Sequence, residues 1–182
     1  MTHYNLLVIG AGAAGCILAR RLSELCPGAS IGLVEAGPDG RVPPFVQSDL
    51  ASVFQTWSPS SNWLLKTCPQ PGLNDRSVDI TQGKVLGGGT SVNAMMYVRG
   101  DVAVVDEWHH RSGFNPNWSA SRFQQAFQAI ESFHTDQLAP LRGRGGPLSI
   151  RETPNPSQSS RAFLEALAEL GYQIADFNGE SQ

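Results

Sequence analysis

The chain has 182 residues, 41% of them hydrophobic, and a formal net charge of −3. That length suits one domain, or one and part of another, and is enough to bury a real core. The acidic balance and the lack of a basic stripe exclude a nucleic-acid footprint, and no stretch reaches the length of a membrane span.

The first element is a strand, Tyr4 to Ile9, with five apolar or aromatic residues among six, which reads as a buried parallel strand. Gly10-Ala11-Gly12-Ala13-Ala14-Gly15 follows with no spacer. In this Gly-x-Gly-x-x-Gly pattern Gly10 permits a tight turn, Gly12 lets backbone approach a pyrophosphate, and Gly15 lets the next helix pack on the strand. The helix, with its body at Cys16 to Leu25, starts with free N–H groups and the positive dipole end facing a phosphate. Leu18, Leu22 and Leu25 are expected on its sheet-facing side, and Pro27-Gly28 ends it. A second strand, Ile31 to Glu35, closes a βαβ unit. Glu35 stands where an acid accepts hydrogen bonds from an adenosine ribose, and its charge disfavours a 2′-phosphate of the NADP type. The βαβ pattern also accounts for the apolar start, so no export signal is expected and the cytoplasm is the simplest location.

From Gly37 to about residue 82 the alternation stops. Pro38, Pro43, Pro44 and Pro59 mark an irregular excursion, with a short helix expected around Ser48 to Phe54. Trp57 and Trp63 close it, either as packing residues or stacked on a cofactor ring. Gln70 to Arg76 reads as a turn and Ser77 to Thr81 as a short strand. In Gly83 to Gly100 three consecutive glycines, Gly87 to Gly89, clear side chains from one backbone segment, as a flat ligand or phosphate requires. Thr90 and Ser91 are expected to cap a following helix. Lys84 is followed by Val85, which excludes a P-loop, and Ser91-Val92-Asn93 lacks the final glycine of a nucleophile elbow.

Beyond Asp101 the pattern turns helical. Ser119 or Ser121 is placed to cap a helix with Phe123, Phe127 and Ile130 on one face, and Leu148 to Ile150 reads as a strand. Ser159 or Ser160 is placed to cap a last helix, with Phe163, Leu167 and Leu170 on one face and Gly171 at its stop. Cys16, Cys26 and Cys68 have no metal-like or redox spacing and read as structural thiols.

These residues resemble the glucose-methanol-choline (GMC) oxidoreductases, which use FAD. The run Gly83 to Asp106 fits that family's first signature at every constrained position and looks most like the choline dehydrogenase branch. Glu35-Ala36-Gly37, Asn62-Trp63, Glu107-Trp108, Asn115 to Ser119, Gly145 to Leu148 and Asp176 to Gly179 agree with it. The resemblance implies an α/β fold: the N-terminal part of a Rossmann-like FAD-binding fold over residues 1–108, then the beginning of an α+β substrate-binding domain over 109–182. It implies FAD held at Gly10, Gly12, Ala13, Ala14, Gly15, Glu35 and Ala36 on the ADP side. Trp63, Val85, Gly87, Gly88, Thr90, Asn93, Ala94, Met95 and Met96 would lie along the pyrophosphate and flavin. Val92 stands where some members carry a histidine bonded to the flavin, so the FAD here is expected to be non-covalent.

The family oxidises an alcohol: a histidine takes the hydroxyl proton while the carbinol hydride passes to the flavin. That histidine lies near the family's C-terminus, beyond the last residue of this sequence. His109-His110 is the nearest substitute but has no evident means of tuning either imidazole. The expectation is therefore no catalytic residue in this chain, inactivity alone, and an alcohol substrate only when a missing C-terminal part complements it. The alternative is a non-catalytic nucleotide-binding or interaction module, or a gene remnant.

Overall fold

The computed structural model describes residues 3–40, 57–135 and 141–179. The short helix expected around Ser48 to Phe54 lies outside the described residues. The chain forms two compact units, Met1–Met96 and Tyr97–Gln182.

The first unit begins with strand β1 (Leu6–Ile9), helix α1 (Ala13–Leu25) and strand β2 (Ile31–Val34). β1 and β2 pair in parallel, with Leu6 opposite Ile31 and Ile9 opposite Val34, so α1 is the crossover of a βαβ unit. The strand is not buried as expected. Val8 is covered on the helix side, whereas Leu7 and Ile9 are 53% and 74% exposed. Alternate side chains point to opposite faces, and α1 covers only one of them.

The sheet-facing stripe of α1 also differs from expectation. Gly15, Cys16, Ala19 and Leu22 are its half-covered positions, as is the C-cap Cys26, whereas Leu18 and Leu25 are exposed. The cause is Gly15. A Cβ there would lie 1.9 Å from the Gly10 carbonyl oxygen and 3.5 Å from Val8 Cγ1, so the helix turns its smallest residues toward the strand. Leu22 is shared by both stripes.

Strands β3 (Leu65–Lys66) and β4 (Asp79–Ile80) pair antiparallel. Between them Pro71–Leu73 forms a 3-10 turn, closed by the Gln70 N–H donating to the Arg76 carbonyl at 3.1 Å, as the turn-rich sequence indicates.

The second unit contains helix α2 (Val102–Arg111), helix α3 (Ala120–Ile130), strands β5 (Glu131–His134) and β6 (Leu148–Arg151), and helix α4 (Gln158–Glu169). Asp101 caps α2, its Oδ1 accepting from the Ala103 N–H at 2.7 Å. Ser119 is the N-cap residue of α3, but its hydroxyl donates to the Pro116 carbonyl instead of capping. The cap of α4 is Ser157, whose Oγ accepts from the Ser160 N–H at 3.1 Å, which displaces the expected Ser159 or Ser160. Gly171, at φ +89°, ends the last helical turn as expected. β5 continues directly from α3 and runs parallel to β6, with Phe133 opposite Ile150; both side chains are buried. Trp108, Trp118 and Phe123 pack their rings at centroid distances of 5.9 to 6.0 Å, joining α2 to α3.

Candidate functional site

The candidate site lies in the first unit and is made of backbone more than of side chains. At Gly10 the chain turns with φ +88°, a conformation that a side chain opposes. Gly12 is the N-cap residue of α1, with no side chain capping that helix end. The Cys16 N–H makes the first helical bond, to the Gly12 carbonyl at 2.9 Å, so the N–H groups of Ala13, Ala14 and Gly15 precede the helical ladder. A Cβ on Gly12 would meet nothing within 4 Å. The space beside this glycine is open, whereas Gly15 is filled on its inner side.

The second glycine segment comes directly against the first. The Gly87 N–H donates to the Ala11 carbonyl at 2.7 Å, and Gly12 and Gly87 form a parallel bridge. Gly88, at φ +57°, has no room for a Cβ, which would lie 2.8 Å from Gly12 Cα. Two stretches more than seventy residues apart thus make one continuous backbone surface.

The helix expected after Thr90 and Ser91 does not form. Gly88–Ser91 is itself a 3-10 turn, begun by Gly87 at φ +94°. The Thr90 hydroxyl donates back to the Gly87 carbonyl at 2.6 Å and the Ser91 hydroxyl to the Leu86 carbonyl at 2.7 Å. Both hydroxyls are turned back toward carbonyls that precede them in the chain, neither caps a helix start, and the next helix waits for Asp101.

Glu35 sits just past the end of β2. Its Oε2 accepts from the Ala11 N–H at 2.8 Å and its Oε1 from the Gly37 N–H at 2.9 Å. Val85 is buried, and its carbonyl accepts from the Gly88 N–H at 2.7 Å. Ala36, Thr90, Asn93 and Ala94 are exposed, as are Met95 and Met96, the latter at 81%. Met95 holds φ +60°, and its N–H is taken by Asn93 Oδ1 at 2.9 Å. Trp63 is half exposed, with the Lys84 ammonium 5.0 Å from its ring centre. Val92 is buried. The structure thus joins Gly10 to Gly15, Glu35, Gly87 and Gly88 by direct contact. No described hydrogen bond ties Trp63 or residues 93–96 to the first glycine segment.

Sequence reading missed the polar centre of the second unit. Glu131 is fully buried and accepts from Arg99 Nε at 2.8 Å, Arg99 Nη2 at 2.7 Å, the Gly143 N–H at 3.0 Å and Arg142 Nη1 at 3.2 Å. Burial pushes its carboxyl pKa up, but Arg99 and the Gly143 N–H outweigh that and hold it below the usual carboxylate value. These residues are spread over forty-four positions with no motif spacing, so no local signal marks them. His109 Nδ1 donates to the Asn115 carbonyl at 2.9 Å, and the rings of His109 and His110 lie against Phe114. Among the described residues no group of histidine, cysteine and carboxylate side chains is arranged for a metal.

A parallel βαβ unit with a glycine turn at its helix start and an acid after its second strand defines a dinucleotide-binding protein of the Rossmann type. The GMC oxidoreductase family model matches residues 4–182, and the chain belongs to that family. It is 35% identical over 185 residues to an oxygen-dependent choline dehydrogenase of Vibrio vulnificus and 33% identical over 180 residues to an alcohol dehydrogenase [acceptor] of Pseudomonas putida. Those alignments cover 99% and 98% of this chain and 32% of each relative, so the chain spans about a third of the length of these relatives. It also superposes on a FAD-dependent oxidoreductase from Chaetomium thermophilum, with a TM-score of 0.76 and 32% identity, covering 93% of this chain and 30% of that one. Family, oxidoreductase class and FAD as the family's cofactor therefore agree with the sequence reading. No helix among the described residues is long and apolar enough to cross a membrane.

Proposed function

We propose that this chain is the N-terminal portion of a FAD-dependent alcohol dehydrogenase or oxidase, and that its first unit holds FAD without a covalent bond. The observation that carries this is the contrast between Gly12 and its neighbours. Gly10 is held to glycine by its φ of +88°, and Gly15, Gly37 and Gly88 by protein atoms at the place of a Cβ, whereas Gly12, at φ −72° with open space beside it, is constrained by neither. An open approach at the start of an uncapped helix fits an anionic diphosphate, which the first N–H groups of α1 would receive. Glu35 keeps a second lone pair on each carboxylate oxygen and would accept from ribose hydroxyls. Gly87, Gly88 and the Asn93 to Met96 segment would line the remainder. Valine at position 92 has no nucleophilic atom, which supports a reversible complex.

When bound, FAD supplies a hydride acceptor for oxidation of a primary alcohol. The names of the choline and alcohol dehydrogenase relatives support that substrate class. The residues present bind and orient the cofactor; none of them is assigned the hydroxyl proton, so this chain by itself is expected not to oxidise alcohols.

The test is a visible absorption spectrum of the purified chain, before and after titration with FAD and desalting. Retained flavin absorbance, lost on acid precipitation of the protein into a free-flavin supernatant, is the expected result. A folded, monodisperse sample that retains no flavin would overturn the binding proposal. Turnover of choline or benzyl alcohol by the FAD-loaded chain would overturn the assignment of no catalytic base.

A further inference from the structure

Glu35 does more in this structure than offer oxygens to a ribose. Its Oε2 accepts from the Ala11 N–H, and the carbonyl of that same residue accepts from the Gly87 N–H at 2.7 Å and from Cys16 Sγ at 3.2 Å. Ala11 is fully buried, so its peptide groups depend on these partners. The other oxygen, Oε1, accepts from the Gly37 N–H. Gly37 in turn abuts the second glycine segment: a Cβ there would lie 1.9 Å from the Lys84 carbonyl oxygen, and the next residue, Pro38, accepts from the Leu86 N–H at 3.0 Å. One route from Glu35 runs through Ala11 to Gly87, and the other through Gly37 and Pro38 to Leu86. Together they close a ring around the junction of the two glycine segments.

We infer that Glu35 is a positioning residue that sets the second glycine segment, Gly87 above all, against the first before any ligand arrives. The inference rests on the reading of this surface as the FAD site, and it deepens that reading. A carboxylate suits the task because it is acceptor-only: both backbone donors find a lone pair, and each oxygen keeps another for a ligand hydroxyl. Glutamine at position 35 would keep one acceptor and turn an NH2 donor toward the other backbone N–H, which breaks one arm of the ring.

The experiment is residue-resolved amide hydrogen exchange on the ligand-free full chain, comparing wild type with Glu35→Gln. The Gly87 amide is the reporter because Glu35 does not touch it. The Trp63 amide, bonded to the Gln82 carbonyl at 3.0 Å in the same unit, is the control. The expected result is exchange at least about ten-fold faster at Gly87 with Trp63 unchanged, which corresponds to roughly 1.4 kcal/mol of lost local protection. Equal Gly87 rates in the two proteins, or acceleration shared equally by Trp63, would overturn the inference. If Glu35→Gln fails to fold, Glu35→Asp is measured by the same criteria, since its shorter carboxylate cannot reach both amides.

FAD titration of the same samples separates the two readings. Weakened FAD binding with an unchanged Gly87 amide leaves a ribose contact and removes the positioning role. A wild-type chain that takes no FAD, yet loses Gly87 protection on Glu35→Gln, keeps the positioning role and removes the cofactor reading.

Discussion

Arg99 and Glu131 meet in the second unit as a two-point ion pair, Nε to Oε1 at 2.8 Å and Nη2 to Oε2 at 2.7 Å, with Glu131 fully buried. The pair links the segment before α2 to the junction of α3 and β5. Arg99 also donates from Nη2 to the Leu141 carbonyl at 2.7 Å, and its backbone N–H reaches Asn178 Oδ1 at 2.6 Å. Removing the carboxylate leaves buried guanidinium charge uncompensated. Glu131→Ala is expected to cost about 3–5 kcal/mol in the urea unfolding of this unit, a large share of a domain's usual 5–15 kcal/mol or so. A loss under about 1 kcal/mol would mean that the arginines find other acceptors.

The same pair gives an acid dependence with a definite sign. The Glu131 pKa is lowered from its ordinary value of 4.5: burial acts to raise it, and Arg99 with the Gly143 N–H overrides burial. A depressed folded pKa means that the unfolded chain binds the proton more tightly, so the stabilisation is complete above about pH 4.5 and fades as pH falls through the lower folded value. Unfolding midpoints measured from pH 6 to pH 3 are expected to drop in wild type. The drop should be shallower in Glu131→Gln, which has no proton to take up there.

Tyr97 gives the opposite sign at the alkaline end. Its hydroxyl is buried beside Glu131 and Arg99, and burial, then hydrogen bonding to the Glu131 carboxylate, push its pKa from 10.0 up to about 12. A raised folded pKa favours the neutral phenol, so its contribution is intact below pH 10 and is lost as pH climbs toward 12. Ultraviolet titration should show one of the three tyrosines ionising late. Tyr97→Phe should remove that late step at a cost of about 1 kcal/mol, the usual net worth of one hydrogen bond.

The first unit was largely legible because its determinants are local. Strand, glycine turn, helix and acid are adjacent in sequence, and each demands a particular residue type. What escaped reading depends on contacts made at a distance. Gly15 fixes which stripe of α1 faces the sheet, so Leu18 and Leu25 point outward despite their spacing. Thr90 and Ser91 have the composition of helix caps, yet their hydroxyls turn toward the carbonyls of Gly87 and Leu86, which lie behind them in the chain. β5 was not read from the sequence, because Glu131 is polar and a strand containing it becomes favourable only with Arg99 and Arg142 in place. The Glu131 cluster is assembled from residues whose separations match no motif.

The cap of α4 tests how well the structure separates neighbouring serines. Ser157, Ser159 and Ser160 are alike in composition, but the Ser157 hydroxyl alone accepts from a backbone N–H, that of Ser160. Ser157→Ala is expected to cost about 1 kcal/mol, while Ser159→Ala, on the first turn of the helix, stays within roughly 0.5 kcal/mol. Thermal unfolding of the two variants decides it; equal losses would place the cap elsewhere.

Two glycines of one motif are expected to respond in opposite ways. At Gly15 an added methyl would sit 1.9 Å from the Gly10 carbonyl oxygen, a backbone atom with little freedom to move. Gly15→Ala should therefore push α1 off β1 and destabilise the unit by about 1–3 kcal/mol or more, with or without cofactor. Gly12 has φ −72°, which any residue adopts, and nothing within 4 Å of an added methyl. Gly12→Ala should leave stability within about 1 kcal/mol of wild type, since no clash and no left-handed strain oppose it. Its effect should fall on the ligand, with FAD affinity at least about ten-fold weaker, because the methyl occupies the approach to the first N–H groups of α1. Urea unfolding and FAD titration on both variants separate the roles: a Gly12→Ala chain that binds FAD like wild type would mean that the open space beside this glycine serves no diphosphate.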